Sequence, residues 1–299
     1  MNLLDFSNCR LCPRNCGCDR KNSTGFCGCS DKLRAARAAL HHWEEPCISG
    51  THGSGTVFFS GCTLQCCFCQ NFSVSIEHYG KDITPRRLGD IFLSLQNQGA
   101  HNINLVTPTQ YLPWILPALE LVRDELKIPV VYNCGGYEKT ETIRLLKDYV
   151  DIWLPDLKYF DSALSARYSR ASDYFSVASE AILQMVRQTG KPVLDTSGLM
   201  KKGVIIRHMV LPGQRKDSIR LLRWISENLT PGTYLLSLLS QFTPFYKSSS
   251  YPEINRRITT FEYESVVEEA IRLGLTQGFM QEKSSAKEEY TPPFNLEGI

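Results

Sequence analysis

Short apolar runs alternate with longer segments of helical periodicity over most of this chain. Six runs rich in β-branched and aromatic residues, as buried strands are, lie at residues 56–60, 103–107, 129–133, 151–155, 204–211 and 233–239. Segments with apolar positions at helical spacing follow them, at residues 84–98, 112–127, 139–148, 173–189 and 215–229. Repeated strand-then-helix units predict right-handed crossovers and a parallel sheet. Because six strands are too few for a closed eight-stranded barrel, the pattern predicts an α/β fold, an open (βα)6 partial TIM barrel.

The pattern also predicts where this barrel begins and ends. Residues 1–50 form a Cys-rich N-terminal segment and connector, in which the alanine-rich stretch 32–40 is either a short helix or an extended connector. The barrel is predicted over residues 51–275. Residues 276–299 form a C-terminal tail that contains Pro292-Pro293-Phe294 and either folds back over the barrel or stays loose.

Composition narrows the class of protein. The 299 residues are 42% hydrophobic, which supports a sizeable core, and the net charge of +2 gives no electrostatic reason to expect nucleic acid or an anionic membrane as a partner. The apolar runs are far shorter than a membrane span, and the first residues lack a signal peptide's basic start and apolar core. Twelve cysteines without an export signal favour metal or cluster ligation in a reducing cytoplasm over disulfides.

The cysteine loop at residues 61–71 carries the clearest chemistry. Cys62, Cys66 and Cys69 follow an apolar run with C-x3-C-x2-C spacing. Three thiolates are one too few to close a tetrahedral zinc site or to saturate a four-iron cluster, so they would leave one iron open to a ligand. Structural zinc with Cys67 or a distant histidine as fourth ligand is the rival interpretation, and plain buried thiols are a weaker one. Cys67 is predicted to pack away from its neighbours.

Polar residues stand at the end of every predicted strand. The carboxyl ends of barrel strands carry the chemistry in such folds, and the residues that occupy them are Thr107-Pro108-Thr109, Asn133, Asp156, Lys158, Arg207, His208, Ser240 and Gln241. Since neighbouring residues of a strand point to opposite faces, only one of Arg207 and His208 can face the barrel interior. We expect it to be Arg207.

These sequences resemble a known family over nearly the whole chain. The segments that carry the resemblance lie at residues 58–62, 68–71, 102–109, 154–159, 207–213 and 240–244. They are similar to the radical S-adenosylmethionine (SAM) superfamily, and within it to the PflX-like subgroup related to the pyruvate formate-lyase activating enzyme. The resemblance implies the same partial barrel and an oxidoreductase.

The resemblance implies a role for each matching residue. Cys62, Cys66 and Cys69 would hold a [4Fe-4S] cluster, whose fourth iron SAM would chelate through its amino and carboxylate groups. The remaining SAM contacts would come from the backbone at Thr107, Pro108 and Thr109, and from Asn133, Asp156, Lys158 and Arg207. The family has Gly-Gly-Glu where this chain has Thr107-Pro108-Thr109, and Asp where it has Asn133. The predicted SAM site of this chain therefore has fewer acidic side chains. An ion pair with Asp156 or Asp161 is the alternative use of Lys158.

The resemblance further implies reductive cleavage of SAM to a 5′-deoxyadenosyl radical that takes a hydrogen atom from a protein or peptide, as a glycyl-radical-enzyme activase does. The electron donor would be flavodoxin- or ferredoxin-like. Two alternatives remain at this point: radical SAM modification of a small molecule or peptide epimerisation, and a non-catalytic metal-binding interaction module.

A second set of cysteines lies near the N-terminus. Cys9, Cys12, Cys16 and Cys27 match positions in the N-terminal segment of the subgroup, and Cys18 and Cys29 are additional. Four thiolates suit a structural zinc ion or an auxiliary Fe-S cluster; reduced thiols without metal are the third interpretation. The resemblance also includes Glu44-Glu45-Pro46, although adjacent carboxylates are usually solvated and the sequence gives them no mechanism.

Overall fold

The computed structural model describes residues 3–281 and 291–299 of the chain. Its strands are β1 (Arg34–His41), β2 (Ser54–Phe59), β3 (Lys81–Asp82), β4 (Ile103–Val106), β5 (Val130–Cys134), β6 (Ile152–Pro155), β7 (Val193–Leu194), β8 (Met200–Met209), β9 (Leu235–Leu239) and β10 (Gly278–Met280). Its helices are α1 (Pro46–Ser49), α2 (Phe72–Ser75), α3 (Pro85–Asn97), α4 (Leu112–Leu121), α5 (Thr140–Leu145), α6 (Ser162–Ser169), α7 (Tyr174–Thr189), α8 (Arg215–Asn228) and α9 (Thr260–Arg272).

One sheet organises the molecule, in the order β10-β9-β8-β6-β5-β4-β2-β1-β3. The six predicted strands, β2, β4, β5, β6, β8 and β9, are parallel neighbours in it. β10 adds a seventh parallel strand beside β9, and within the described residues no ladder joins β10 to β3. The predicted open α/β partial barrel is therefore confirmed.

The alanine-rich stretch before the barrel forms a strand. β1 runs antiparallel to β2 and to the short β3. Ala35 and Ala36 are fully buried there. Alanine has a high intrinsic helix propensity, but pairing with two neighbouring strands overrides it. Of the two alternatives left by the sequence, the extended one is therefore correct.

Helices cover the outer face of the sheet and leave its carboxyl ends open. In α3 the Thr84 hydroxyl accepts a hydrogen bond from the Arg87 amide at 3.1 Å, and Pro85 occupies the first helical position. The buried face of α3 includes Ile91 and Phe92. Among the described helices, none combines the length and apolar character needed to cross a bilayer.

The N-terminal segment packs on the loops at the carboxyl ends of the strands. Arg14 Nε donates to the Thr63 carbonyl at 2.8 Å, and the Thr142 hydroxyl donates to the Leu11 carbonyl at 2.8 Å. Gly61 has a φ of +82°, and a Cβ at this position would lie 2.2 Å from Cys29 Sγ. The segment is therefore in direct contact with the first residue of the cysteine loop.

The described end of the tail lies against β1. The Leu296 amide donates to the Ala36 carbonyl at 3.1 Å, and the Ala38 amide donates to the Glu297 carbonyl at 2.8 Å. The Phe294 and Phe58 rings meet edge to face, with centroids 5.3 Å apart. Residues 291–299 thus fold back on the barrel, whereas residues 282–290 of the predicted tail lie outside the described residues.

Candidate active site in the barrel cavity

A cavity of about 760 Å³ lies inside the curve of the sheet, within the size range of ligand pockets. The predicted site residues that line it are Cys62, Cys66, Cys69, Thr107, Asn133, Asp156, Lys158 and Arg207. They come from the cysteine loop and from the carboxyl ends of β4, β5, β6 and β8. The parallel register of these strands brings together positions that are up to 145 residues apart in sequence (Arg207 and Cys62).

The three predicted cluster ligands face this cavity together. Cys66 Sγ lies 2.9 Å from the Ser169 hydroxyl, and Cys69 Sγ lies 3.2 Å from the Ser75 hydroxyl. Burial raises the pKa of Cys62 to about 11 and that of Cys69 to about 12. Ionisation of these buried thiols therefore requires a strong positive partner such as iron.

Cys67 has a different environment. It is buried in the main apolar core and does not line the cavity. Its amide donates to the Tyr168 carbonyl at 2.8 Å, which fixes the loop backbone between Cys66 and Phe68. Three thiols of this loop therefore face the cavity. Three thiol ligands fit a four-iron cluster with one open iron better than a tetrahedral zinc site, which needs four ligands.

Two glycines let the strand ends approach the loop closely. A Cβ at Gly135 would lie 2.7 Å from Leu64 Cδ1. Gly136 has a φ of +78°, and its Cβ would lie 2.1 Å from the Asp156 carbonyl oxygen. A larger residue at Gly136 would collide with the backbone after β6, whereas one at Gly135 would displace the Leu64 side chain of the cysteine loop.

Arg207 organises the polar part of the cavity. Its Nε lies 2.9 Å from Asp156 Oδ1, and a second nitrogen lies 3.0 Å from Glu44 Oε2. A third nitrogen donates to Asn133 Oδ1 at 2.6 Å. Lys158 Nζ lies 2.5 Å from Asp156 Oδ2. Burial opposes ionisation of Asp156, but Arg207 and Lys158 outweigh it and lower the pKa of this carboxyl.

Glu44 belongs to this network, which the sequence did not predict. Its Oε1 accepts hydrogen bonds from the Asn104 and Asn133 side-chain amides, both at 3.1 Å. The residue precedes α1, and the Asn102 side chain holds that short helix by donating to the Ile48 carbonyl at 2.8 Å. The asparagines inside apolar strands could have indicated such a network, because a buried side-chain amide needs a polar partner.

Glu45 lines the same cavity. It is 6% exposed, and its Oε2 has no hydrogen-bond partner among the described residues. Burial raises the pKa of both Glu44 and Glu45. Pro46 begins α1 directly afterwards, so the two carboxyl groups sit where β1 turns into the helix.

The Thr107-Pro108-Thr109 segment contributes one residue to the cavity lining, Thr107, whose φ is +56°. Its carbonyl accepts a hydrogen bond from Gln110 Nε2 at 2.8 Å. Pro108 and Thr109 are buried outside the lining, and the Thr109 hydroxyl donates to Glu138 Oε1 at 2.7 Å. The structure therefore brings Thr107 to the cavity but not the other two predicted contacts.

Glu138 supplies an acidic group next to this segment that the local sequence lacks. It is buried, and burial raises the pKa of its carboxyl to about 8. The Tyr132 hydroxyl lies 3.0 Å from the Thr109 hydroxyl and 3.4 Å from Glu138 Oε2. The carboxyl comes from the loop after β5, which local motif comparison could not have identified.

His208 points away from the cavity. Its Nδ1 lies 2.7 Å from the Leu157 carbonyl, and its Nε2 lies 2.8 Å from the Ser218 hydroxyl on α8. Burial lowers its pKa to about 4. Strand alternation therefore places Arg207 inside and His208 beneath the helix layer, as expected.

The cavity is bordered by both ends of the open sheet. Residues 41–46 line it from the β1 side, and residues 278–281 line it from the β10 side. Trp43 is 55% exposed and Met280 is 39% exposed at these two borders. Large apolar side chains at an opening are typical of surfaces that bind another molecule.

The four predicted N-terminal ligands meet at a separate place. Cys9, Cys12, Cys16 and Cys27 line one gap of about 10 Å³, the size of a single atom site. Cys18 does not line the gap, although its Sγ lies 3.6 Å from that of Cys16. Within residues 3–281 and 291–299, no three His, Cys, Asp or Glu side chains converge at the spacing of single-ion ligands, so an ion would require these thiols to move closer together.

A fully buried arginine lies beside these thiols. Arg20 donates to the carbonyls of Cys29 and Gln110 at 3.2 and 2.6 Å. A guanidinium nitrogen lies 4.0 Å from Cys9 Sγ, and Arg20 makes no salt bridge with the described carboxylates. Its charge and a hydrogen bond from Cys29 favour a thiolate at Cys27, whose pKa falls to about 6, with the Cys29 hydrogen bond as the larger cause.

Comparisons with known proteins agree with this geometry. The model of the Radical SAM superfamily matches residues 56–225, more than half of the chain. An uncharacterised protein of Methanocaldococcus jannaschii is 30% identical over 293 residues, which cover 92% of this chain and 80% of that protein.

The matches to solved structures are at low identity. The FeFe-hydrogenase maturase HydG from Carboxydothermus hydrogenoformans has a TM-score of 0.51 and 11% identity, covering 79% of this chain and 59% of that chain. Streptococcus suis SuiB bound to the precursor peptide SuiA has a TM-score of 0.49 and 15% identity. That match covers 74% of this chain and 46% of the SuiB chain. With three thiols facing one cavity and a family match that contains them, this chain belongs to the radical SAM superfamily, a family of enzymes that use a [4Fe-4S] cluster and SAM.

Proposed function

We propose that this protein is a radical SAM oxidoreductase of the PflX-like, activating-enzyme-related type that acts on a protein or peptide. The observation that carries the proposal is the placement of Cys62, Cys66 and Cys69, and not Cys67, on one cavity with a charged network. When cluster and SAM are bound, reductive cleavage of SAM supplies a 5′-deoxyadenosyl radical that abstracts a hydrogen atom from the substrate.

The other residues around the cavity would bind and orient SAM. Lys158 and Arg207 present fixed positive charges that suit the SAM carboxylate, and Asp156 holds both in position. Asn133 and the Thr107 backbone supply neutral polar groups on the same side. The strands and helices around them form the walls of the cavity and limit the hydrogen donors that a reactive carbon radical could meet there.

A protein or peptide substrate is supported by the borders of the cavity. The site opens between the two ends of the sheet, beside Trp43 and Met280, where an extended loop of a partner could enter. A glycine backbone, the target in a glycyl-radical activase, would need such access. We further propose a flavodoxin- or ferredoxin-like electron donor in a reducing cytoplasm, which suits twelve free cysteines.

Anaerobic reconstitution with iron and sulfide tests the proposal. With dithionite and SAM, the reconstituted protein should form 5′-deoxyadenosine, measured by chromatography. Cys66→Ala should lower this activity by about 100-fold or more, because a ligand is lost, whereas the matched control Cys67→Ala should keep the cluster absorbance and most of the activity. Absence of 5′-deoxyadenosine, or equal loss in both variants, would contradict the proposal.

A glycyl-radical EPR signal on a partner protein would then separate an activase from modification of a small molecule or from peptide epimerisation. A signal that requires SAM and intact Cys66 supports the activase. A SAM-dependent product that carries no such signal favours the alternatives.

We also propose that the N-terminal segment binds one structural zinc ion through Cys9, Cys12, Cys16 and Cys27. Support comes from the gap of atomic size that these four thiols share and from the buried charge of Arg20 beside them. Four thiolates and a zinc ion carry a net charge of −2, which a neighbouring guanidinium partly offsets. An auxiliary cluster in place of zinc would need a larger space than this gap.

A further inference from the structure

The polar network of the cavity contains three carboxyl groups and two permanent cations. Among the described lining residues, the carboxylates are Glu44, Glu45 and Asp156, and the permanent cations are Lys158 and Arg207. Asp156 contacts both cations, and Glu44 contacts Arg207. Glu45 is the third carboxyl group, and it makes no salt bridge with a described cation.

Glu45 is also the one acid of this group with an open hydrogen-bonding site. Glu44 receives hydrogen bonds on both oxygens, from two asparagine side chains and from Arg207. Glu45 Oε2 is buried without a partner in the described part of the chain. A buried carboxyl oxygen that loses water and gains no donor is costly, and such a group in a native structure requires an explanation such as strain, a catalytic role or a bound water or ion.

The surroundings of this oxygen indicate the chemistry of that ligand. Ser237, on β9, lines the cavity together with Glu45, and its hydroxyl favours the ionised form of the Glu45 carboxyl. Arg207 is held by Asp156, Asn133 and Glu44, which accept three of the five hydrogen bonds that its guanidinium can donate. A compact donor with a single positive charge fits one open carboxylate oxygen beside a hydroxyl, whereas a guanidinium is suited to two parallel acceptors.

We propose that Glu45, supported by Glu44 and Ser237, binds an ammonium group of the substrate inside the barrel cavity. The inference rests on the proposed radical SAM function and names its substrate class: a peptide or smaller molecule that carries a protonated primary amine. Glu45 comes from the turn between β1 and α1, and the cysteines come from the loop after β2. An amine held by Glu45 leaves the rest of the substrate in the same cavity as the cysteines.

The test measures binding of n-pentylamine and its neutral analogue n-pentanol to the anaerobically reconstituted, SAM-loaded enzyme, by saturation-transfer NMR and calorimetry. The protonated amine should bind about tenfold or more tightly than the alcohol, because it adds a charge-assisted hydrogen bond. Glu45→Gln should remove this preference. Glu264→Gln, the same chemical change on the exposed face of α9, should retain it.

Several outcomes would overturn the inference. If the unaltered protein binds the amine and the alcohol equally well, the inference is wrong. This outcome needs no variant, so it can be tested even if Glu45→Gln does not fold. An undiminished preference in Glu45→Gln would also overturn the inference. Displacement of pentylamine by millimolar sodium or potassium chloride, but not by tetramethylammonium chloride, would assign the oxygen to a metal cation instead. Formation of 5′-deoxyadenosine by the unaltered protein is scored separately and reports on the proposed function alone.

Discussion

The barrel cavity and the N-terminal segment each combine cysteine thiols with a buried arginine, but the partners of the two arginines differ. Arg207 contacts the carboxylates of Asp156 and Glu44. Arg20 contacts backbone carbonyls and lies beside the thiols of Cys9 and Cys27. The charge of Arg207 is thus balanced by the protein itself, whereas that of Arg20 is balanced only when neighbouring thiols ionise.

The volume of the space that the thiols face also differs between the two sites. Three cysteines face a cavity of about 760 Å³, and four others face a gap of about 10 Å³. A large cavity with an incomplete thiol set suits a centre that must admit a cofactor and a substrate, and a small gap with a complete set suits a closed structural ion. The comparison shows that the geometry around the thiols, more than their spacing in sequence, separates the two roles.

The largest loss of stability should follow from removing the arginine that is paired with carboxylates. Arg207→Ala leaves the mostly buried Glu44 without its cation and Asp156 with Lys158 alone, and should lower the free energy of unfolding by about 3–5 kcal/mol. Urea titration measures the change. Arg223→Ala, which removes an exposed ion pair with Glu269, should cost about 1 kcal/mol or less; similar losses in both variants would contradict the role of burial.

Arg20→Ala should have a smaller effect that depends on metal. The variant loses several buried hydrogen bonds, for an expected cost of about 2–4 kcal/mol. Because the charge of Arg20 is balanced by thiolates, the loss should be greater in zinc-loaded protein than after chelation. Thermal unfolding of both forms measures this difference, and an identical loss with and without zinc would separate Arg20 from metal binding.

Single cysteine variants sharpen the contrast within the N-terminal segment. Cys16→Ser should reduce the bound zinc from about one ion per chain to a small fraction, because a ligand on the gap is lost. Cys18→Ser should keep the ion, since Cys18 does not line the gap. Atomic absorption of the purified variants measures the zinc content. Retention in Cys16→Ser together with loss in Cys18→Ser would replace the predicted ligand set.

The effect expected at His208, which lies behind the barrel wall and outside both thiol sites, depends on pH. Its pKa is about 4 in the folded protein and near 6.5 when unfolded, so the unfolded state binds more protons between these values. Stability is therefore complete above pH 6.5 and falls as the pH drops toward 4, by up to about 1.4 kcal/mol per pH unit from this group.

His208→Gln should flatten this part of the pH profile, measured by urea titration between pH 4.5 and 7. His52→Gln, a change at an exposed histidine, is the control and should keep the slope. An unchanged slope in His208→Gln would contradict the assignment.

The sequence predicted the parts of the molecule that depend on local pattern. Strand alternation correctly separated Arg207 from His208, and the cysteine spacing separated Cys67 from its neighbours. The loop after each strand could be located because parallel strands bring their carboxyl ends to one edge. The five predicted helices begin within one residue of their predicted starts, as α3, α4, α5, α7 and α8.

The rest depended on contacts between distant residues. Glu44 looked like a solvated carboxylate because its partners, Asn104, Asn133 and Arg207, lie on three other strands. Glu138 reaches Thr109 from the next loop along the sheet. In both cases the signal lies in which strands become neighbours, and a local pattern of residue types does not contain that information.

The contact between Gly61 and Cys29 has a consequence for the order of folding. The N-terminal segment is synthesised first, yet its hydrogen-bond partners include Thr63, Gln110 and Thr142. Contacts over such sequence separations form late, because a long loop must close before they are gained. The segment should therefore remain open while the barrel forms around it, and its thiols should become enclosed only after the strand ends are in place.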